Sequence, residues 1–143
     1  MARIVILGAG VSGHTAALHL RRTLGKSHEV IVVSPNSQWN WIPSNIWVGV
    51  GRMGADKVVF PLAPIYRRKG ITYHQAKAVA VRPEGDDTDP TGAVDIVYTS
   101  PDRAGEQVRL RYDYLVNATG PRLNFAATPG LGPDGHSLSV CTA

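Results

Sequence analysis

The sequence predicts an α/β fold built on a parallel sheet, and three observations lead to this prediction. Two runs of consecutive β-branched and apolar residues, Arg3 to Leu7 and Glu29 to Val33, are typical of strands buried on both faces. Between them, Val11 to Leu24 carries apolar residues at helical spacing. A further buried-strand pattern, Tyr114 to Asn117, follows later. The first three segments form a βαβ unit, which places its two strands in parallel.

The segments between these strands predict additional elements. A long irregular stretch rich in Trp, Pro, Asn and Gly leads into a short helix, Pro61 to Lys69, and a third strand, Ile71 to His74. On the first helix, we expect His14 and His19 to face water. Three short β-patterned segments separated by polar turns predict an inserted antiparallel meander: Ala78 to Arg82, Ala93 to Thr99 and Gln107 to Arg111.

Composition limits the classes of protein to which the chain can belong. Its 143 residues, 43% of them apolar, can bury one core, and no apolar stretch approaches the about 18 residues of a membrane span.

The basic residues, which give a net charge of +4, are scattered along the chain. This distribution is typical of a solvated surface, and a phosphate or anionic-lipid patch is the alternative. Only Arg67, Arg68 and Lys69 cluster, so nucleic-acid binding is not expected. The single cysteine, Cys141, excludes an internal disulfide, and the histidine spacing predicts no metal site.

The turn after the first strand has the spacing of a dinucleotide fingerprint. Gly8, Gly10 and Gly13 form the sequence GAGVSG between a strand and a helix. In such a turn the first glycine permits a tight bend and the second lets the backbone approach a pyrophosphate. The third lets the helix pack closely, with its amino terminus aimed at the anion. The segment therefore predicts a Rossmann-type dinucleotide site.

The end of the second strand departs from this fingerprint. An acidic residue is expected there to accept a hydrogen bond from a ribose hydroxyl group, but the chain has Ser34, Pro35 and Asn36. Ser34 and Asn36 can bind a ribose through neutral groups. Ser34 can equally be an ordinary turn residue at a strand end, and both interpretations stay open.

The segment from Gln38 to Gly51 contains all three tryptophans of the chain. Such side chains can enclose a planar ring system, and they can equally form the core of a buried loop. Pro43, Ser44 and Asn45 favour the first interpretation, because small polar groups and backbone N–H groups orient a ligand. We therefore expect this segment to line the site.

The segment from Tyr112 to Arg122 predicts a strand that leads into Ala118, Thr119 and Gly120. This strand would bring the three small residues to the carboxyl edge of the sheet, where ligands of such sheets bind. An ordinary strand-end turn would look the same. The combination with GAGVSG is what makes the motif specific.

A set of motifs resembles the amino-terminal part of sulfide:quinone oxidoreductases: GAGVSG, PSNIWVGVG, YDYLVNATGP and SVCTA, in this order and at these spacings. The resemblance covers nearly the whole chain. These flavoproteins belong to the disulfide reductase superfamily with two dinucleotide domains, and they pass electrons from sulfide through redox cysteines and FAD to a membrane quinone. The resemblance implies that residues 1–143 form a Rossmann-like FAD-binding half-domain, and that the second dinucleotide domain and the carboxyl-terminal segment are absent.

The resemblance also implies which residues serve the site. Cys141 matches the first of the family's three cysteines, with an accessory redox role. The other two are absent, and sulfide oxidation of this type needs a disulfide and a thiolate, so we expect the chain alone to be inactive. The resemblance places part of the flavin site in the carboxyl-terminal segment, so we also expect the chain to retain FAD weakly or not at all. FAD contacts are expected from Gly8, Gly10, Val11, Ser12, Gly13, Ser34, Pro35, Ile42, Pro43, Ser44, Thr119 and Gly120.

In the full-length parent the expected partners are sulfide and quinone. Membrane contact is expected only through the missing carboxyl-terminal part. The expected location of the parent is the cytoplasm or the surface of the inner membrane. The isolated chain is expected to self-associate. Two alternatives stay open. One is a type II NADH:quinone dehydrogenase-like flavoprotein, against which the missing acidic residue and SVCTA argue. The other is a stand-alone nucleotide-binding module without turnover.

Overall fold

A computed structural model describes residues 1–132 of the chain. Its strands are β1 (Arg3–Leu7), β2 (Glu29–Ser34), β3 (Gln38–Asn40), β4 (Val59–Pro61), β5 (Thr72–Arg82), β6 (Ala93–Tyr98), β7 (Gln107–Arg111) and β8 (Tyr114–Asn117). Its α-helices are α1 (Val11–Leu24), α2 (Asn45–Gly49) and α3 (Leu62–Lys69). Two compact units result: Met1–Ser37 with Pro61–Thr119, and Gln38–Phe60 with the described residues from Gly120 to Gly132.

The first unit contains a six-stranded sheet in the order β7-β6-β5-β2-β1-β8. The strands β5, β2, β1 and β8 run parallel, and β1 lies between β2 and β8, with Ile6 opposite both Val32 and Val116. The strands β5, β6 and β7 pair antiparallel and form the meander. The predicted fold class, a Rossmann-like parallel sheet with an inserted antiparallel meander, is confirmed.

The central strands are buried on both faces, as their unbroken apolar pattern predicts. Because side chains alternate between the faces of a strand, β1 contributes Ile4 and Ile6 to one face and Val5 and Leu7 to the other, and all four are buried. The helix α1 packs against β1 and β2, and α3 packs against β5. One core cluster contains residues from the parallel strands β1 and β2, from β5 and from the antiparallel strand β6: Val5, Leu7, Ile31, Val33, Ala76, Val94, Ile96 and Tyr98.

The third parallel strand and the first meander strand are one continuous element, β5, and the prediction of two separate strands is wrong. Its first part, Thr72 to Gln75, pairs parallel with β2, and its second part, from Ala76 to Arg82, pairs antiparallel with β6. A register shift between Ala78 and Ala80 accommodates the meander pairing. The chain between the two predicted strands has no Gly or Pro to interrupt it.

The expectation that His14 faces water is also wrong. Its side chain is 8% exposed, and Nδ1 lies 3.0 Å from the hydroxyl group of Tyr66 on α3. Burial lowers the pKa of His14 and raises that of Tyr66. This hydrogen bond ties α1 to α3, and it satisfies two polar groups that burial would otherwise leave at a cost.

Smaller differences concern element boundaries. The strand β2 extends to Ser34, β6 ends at Tyr98, and α3 begins at Leu62 because Pro61 is extended and caps the helix. The predicted cluster of Arg67, Arg68 and Lys69 lies in the last turn of α3. There, cations complement the partial negative charge of the helix end.

The second unit contains short elements within the stretch that the sequence describes as irregular. The strands β3 and β4 pair as a two-stranded sheet. Trp39 stacks on Trp41 and Phe60, with ring centroids 5.6 Å and 4.7 Å apart. Trp39 thus packs within this segment, whereas Trp41 and Trp47 are exposed, and the lining of a ligand site by the segment stays a prediction. Within residues 1–132, no helix has the length and apolarity to span a membrane.

Candidate functional site

The order of the parallel strands defines where a ligand would bind. From β1, the chain continues to β2 on one side, and β8 returns on the other side of β1. In open α/β sheets, ligands bind at the carboxyl ends of strands where the order reverses in this way. Gly8 follows β1 and Ala118 follows β8 at this point, and Ala118 N–H donates to the Leu7 carbonyl group at 2.8 Å.

Gly8 and Ala118 bring the two predicted motifs into contact. The backbone of Gly8 has φ of +94°, which favours glycine. A Cβ atom on Gly8 would lie 2.3 Å from the Ala118 carbonyl oxygen and 3.0 Å from the Cα atom of Thr119. Gly8 and the residues Ala118 and Thr119 therefore pack directly against each other.

Gly13 is required because the backbone of Gly8 lies close to it. A Cβ atom there would lie 2.1 Å from the Gly8 carbonyl oxygen and 3.3 Å from the Cβ atom of Ala118. The first turn of α1 can therefore lie against the glycine turn only when residue 13 has no side chain. This contact holds the amino terminus of α1 at the carboxyl ends of β1 and β8.

Gly10 differs from the other two glycines of the motif. Its backbone is extended, with φ of −70° and ψ of −168°, and a Cβ atom would meet no described atom within 4 Å. It caps α1 without a side-chain hydrogen bond, and the first turn of α1, which includes Val11 and Ser12, carries no acidic residue. No capping side chain of the described residues satisfies the backbone N–H groups at this helix end, and such groups can bind an anion.

The turn after β8 is organised by Asn117, a residue that the sequence analysis treated only as the end of a strand. Its Oδ1 atom accepts hydrogen bonds from Thr119 N–H at 3.2 Å and from the Thr119 hydroxyl group at 2.8 Å. Asn commonly stabilises a turn by accepting from the backbone two residues later, and this was the available sequence signal. The side chain fixes Thr119 beside Gly8.

At the end of β2, Ser34 is buried, at 3% exposure, and its Oγ atom accepts from Asn36 N–H at 3.4 Å. The Asn36 carbonyl group accepts from the Tyr73 hydroxyl group at 2.5 Å. Burial raises the pKa of Tyr73 to about 12, so this hydroxyl group stays protonated. Ser34 thus stabilises a strand-end turn, and its contact with a ribose stays a prediction. Tyr73 supports this turn, and no local sequence signal indicated it.

The remaining predicted contacts lie apart from the glycine turn in sequence. The exposed Pro35 accepts a hydrogen bond from the Thr99 hydroxyl group at 3.0 Å through its carbonyl group. In the second unit, Ile42–Ser44 forms a 3-10 turn, with Ser44 N–H donating to the Trp41 carbonyl group at 3.0 Å. Ile42 and Pro43 are exposed there, and Gly120 has φ of +74°. Cys141 lies outside the described residues.

Within the first unit, the structure brings together part of the predicted set: Gly8, Gly10, Val11, Ser12, Gly13 and Thr119. These residues provide a close-packed turn, an uncapped helix amino terminus and open space above Gly10. Such an arrangement can bind a phosphate group through backbone N–H donors. Among residues 1–132, no group of three His, Cys, Asp or Glu side chains could hold a metal ion.

A family model described as pyridine nucleotide-disulphide oxidoreductase matches residues 2–143. The chain belongs to this family. Among curated members, the sulfide-quinone reductase of Aquifex aeolicus is 28% identical over 140 residues, which cover 98% of this chain and 28% of that protein. An external alternative NAD(P)H-ubiquinone oxidoreductase, B1, of Solanum tuberosum is 29% identical over 139 residues, or 95% of this chain and 23% of that protein. The chain thus spans about a quarter of the length of these relatives.

Two solved structures have the same fold as this chain. The sulfide:quinone oxidoreductase of Aquifex aeolicus superimposes with a TM-score of 0.69 at 26% identity, covering 87% of this chain and 26% of that chain. NDH2 of Plasmodium falciparum, solved in complex with NADH, has a TM-score of 0.70 at 22% identity, covering 90% and 24%. The second likeness concerns the fold alone.

Proposed function

We propose that residues 1–143 are the amino-terminal FAD-binding part of a longer flavoenzyme resembling sulfide:quinone oxidoreductase, which oxidises sulfide and reduces a membrane quinone. Support comes from the family membership, from the Aquifex aeolicus relative, and from the motifs around Gly8 and Thr119. Bound FAD would accept electrons from sulfide and pass them to the quinone. The parent would be cytoplasmic or peripheral to the inner membrane.

The observation that carries the FAD assignment is the difference among the three glycines. Packing within the protein accounts for Gly8 and Gly13, because a Cβ atom at either would overlap backbone atoms. Nothing in the described structure accounts for Gly10, whose surroundings are open. A pyrophosphate bound at the uncapped amino terminus of α1 would explain why a side chain is absent there. The residues present therefore fit this part of the cofactor.

In this proposal the protein orients the cofactor through its backbone. The N–H groups of the first turn of α1, at Val11, Ser12 and Gly13, would donate to the pyrophosphate, and the partial positive charge of the helix end would favour its negative charge. Thr119, held by Asn117, would lie beside the same turn. Ser34, Pro35, Ile42, Pro43, Ser44 and Gly120 remain proposed contacts to other parts of FAD.

The test is Gly10→Ala in the full-length parent. We expect the variant to fold with a loss of at most about 1 kcal/mol, because its backbone conformation suits alanine and a Cβ atom there has space, whereas alanine is a poorer N-cap than glycine. Flavin absorbance per folded molecule should fall to near zero, because the methyl group would occupy the position of phosphate oxygens. Gly25→Ala, at the other end of α1, is the control and should keep its flavin. A Gly10→Ala variant with full flavin content would remove the dinucleotide assignment from this turn.

The proposed substrate is tested by the electron donor. Full-length protein should reduce a quinone with sulfide, and the 143-residue chain alone should not. Cys141→Ser in the full-length protein should slow this reaction without removing the flavin, as an accessory redox residue would. Sulfide-independent quinone reduction by the full-length protein would contradict the proposal.

A second candidate, a type II NADH:quinone dehydrogenase-like flavoprotein, is favoured by the likeness to the Solanum tuberosum relative. Both candidates need the same flavin site, so Gly10→Ala does not separate them. Quinone reduction by NADH in the absence of sulfide would select the second candidate, and Cys141→Ser should then have no effect on the rate.

A further inference from the structure

A groove lies between α1 and the end of α3 in the first unit, with a volume of about 490 Å³. Its lining residues are Thr15, Leu18, His19, Arg21, Arg22 and Lys69. The α1 residues at positions 15, 18, 19 and 22 are spaced three and four apart, so they share one side of the helix. The volume is within the range of small-ligand pockets.

The groove is strongly basic. It contains two arginines, a lysine and a histidine, and its lining has no acidic residue among the described part of the chain. Arg22 and Lys69 are exposed and form no ion pair with any residue in 1–132. No carboxylate of the described residues therefore neutralises these two charges. Most other arginines of this unit, in contrast, are paired with carboxylates.

Hydrogen bonds hold the two walls of the groove in place. The His14 to Tyr66 bond joins α1 to α3. The Arg21 guanidinium group donates to the carbonyl groups of Gly25 and His28, at 2.6 Å and 3.1 Å, so its position is fixed before any ligand binds. Arg21 therefore loses little conformational entropy when an anion binds, whereas the exposed side chains of Arg22 and Lys69 become ordered on binding.

The groove is separate from the glycine turn. Gly10 precedes α1, whereas Arg22 lies in its last turn. A helix rises 1.5 Å per residue, so the two positions are about 18 Å apart along the axis. Cations at helix carboxyl ends also complement the helix dipole. Stabilisation of a helix end requires only cations on that helix. Here, cations from two helices, α1 and α3, line the same groove.

We infer that this groove is a second anion site, which binds a phosphate-bearing ligand through Arg22 and Lys69 with Arg21 and His19 beside them. Guanidinium groups pair with phosphate oxygens in bidentate geometry, and lysine adds a point charge. The phosphate can come from a soluble metabolite or from the headgroup of an anionic lipid. The inference goes beyond the proposed flavin site and does not depend on it.

The test uses the 143-residue chain and two probes. Inorganic pyrophosphate is titrated by calorimetry at low ionic strength, and phosphatidylcholine vesicles containing phosphatidylglycerol are used in co-sedimentation. Arg22→Gln/Lys69→Gln removes two exposed groove charges. Arg52→Gln/Lys77→Gln is the matched control, because it removes two exposed charges elsewhere. The Gly10→Ala variant distinguishes binding at the glycine turn from binding in the groove. Circular dichroism checks that each variant is folded.

The inference predicts that binding of at least one probe weakens about tenfold in Arg22→Gln/Lys69→Gln, and that it persists in the control and in Gly10→Ala. Dependence of pyrophosphate binding on the groove would indicate a soluble ligand, and dependence of vesicle binding alone would indicate a lipid. If binding weakens equally in the control, the loss of net charge explains the effect and the inference is overturned. Loss of pyrophosphate binding only in Gly10→Ala, or no binding of either probe, would also overturn it.

Discussion

The carbonyl group of Ala118 lies so close to Gly8 that a Cβ atom on Gly8 would come within 2.3 Å of its oxygen. The two residues belong to motifs at opposite ends of the first unit's sequence, and each forms the turn after its own strand. The glycine turn is therefore shaped by β8 as well as by β1. A change at either turn should alter the other.

Gly8→Ala is predicted to destabilise the chain severely, because it combines an unfavourable φ of +94° with overlap of backbone atoms. We expect a loss of about 3 kcal/mol or more in the free energy of unfolding, or failure to fold. Gly70→Ala is the control, because Gly70 has φ of +68° but open surroundings. It should cost only about 1–2 kcal/mol. Urea denaturation followed by circular dichroism measures both, and equal losses would contradict the role of the Ala118 contact.

Tyr66→Phe is predicted to destabilise the chain by about 1–3 kcal/mol, because it leaves the buried Nδ1 atom of His14 without this partner. The ring itself, which is fully buried, would be retained. Tyr114→Phe, at a residue 65% exposed, is the control and should change stability by less than about 0.5 kcal/mol. If both variants unfold at the wild-type urea concentration, the hydrogen bond does not stabilise the fold.

Stability is predicted to fall as the pH is lowered from 7.5 to 5.5. Burial lowers the pKa of His14 and of His74, and the charge of Arg103 lowers that of His74 further although Glu29 opposes it. The folded state therefore favours the neutral rings, whereas the unfolded chain binds protons below about pH 6.5. His14→Gln should flatten the pH dependence of the urea midpoint. The same substitution at exposed His19 controls for the loss of an imidazole group, and an unchanged slope in His14→Gln would contradict the assignment.

A second pH dependence is predicted in acid from Asp95 in the meander. Hydrogen bonds from Arg109 and then Arg82 lower the pKa of Asp95 to about 2, so the carboxylate stabilises the fold above the unfolded value of 3.8. This contribution is lost as the pH falls from about 4 towards 2. Asp95→Asn should be less stable at pH 7 by up to about 1 kcal/mol, with the difference vanishing near pH 2. Asp87→Asn is the exposed control, and a constant difference across this range would contradict the prediction.

The isolated chain is predicted to form dimers or larger species through exposed apolar side chains. Several of these lie in one stretch of the second unit, namely Trp41, Ile42, Ile46, Trp47, Val50 and Met53. Ile46→Ser/Trp47→Ser should therefore lower the mass measured by light scattering. Val79→Ser/Val81→Ser, on exposed positions of β5, tests the sheet surface instead. A strictly monomeric wild type at high concentration would contradict the prediction, and measurement with and without reductant separates crosslinking by Cys141.

The 143-residue chain is predicted to purify with little or no flavin. The family resemblance assigns part of the flavin site to the carboxyl-terminal segment, so the backbone contacts at the glycine turn would bind FAD alone only weakly. The absorbance of the purified chain in the flavin region measures this. One flavin per chain would overturn the prediction.

The parts of the fold that the sequence predicts are those encoded locally. The strands β1, β2 and β8 have consecutive apolar residues, and the spacing of Gly8, Gly10 and Gly13 marks the turn. The continuity of β5 was missed because the segment around Gln75 has no strong strand pattern, although the lack of Gly or Pro there allowed one strand. Its pairing with β2 and β6 extends the segment. Long-range pairing decided this element.

The candidate site shows the same division. The glycine turn and the Ala-Thr-Gly turn were predicted from residue type and spacing. The contacts made by His14 and Tyr73 were missed because their partners, Tyr66 and the Asn36 carbonyl group, come from other elements. His14 lies three residues before the buried Ala17, at the edge of the apolar side of α1, so the periodicity of α1 alone does not decide whether it is exposed. Only the position of α3, which the periodicity of α1 does not contain, explains its burial.

The dual pairing of β5 has a consequence for how the first unit opens. One strand supplies hydrogen-bond partners to the parallel sheet through Thr72 to Gln75 and to the meander through the residues after it. Separation of the meander would remove one neighbour of β5, and separation of β2 would remove the other. Amide protons from Thr72 to Gln75 should therefore exchange with solvent when β2 separates, and those after Gln75 when the meander separates, so the two parts of β5 report two different openings.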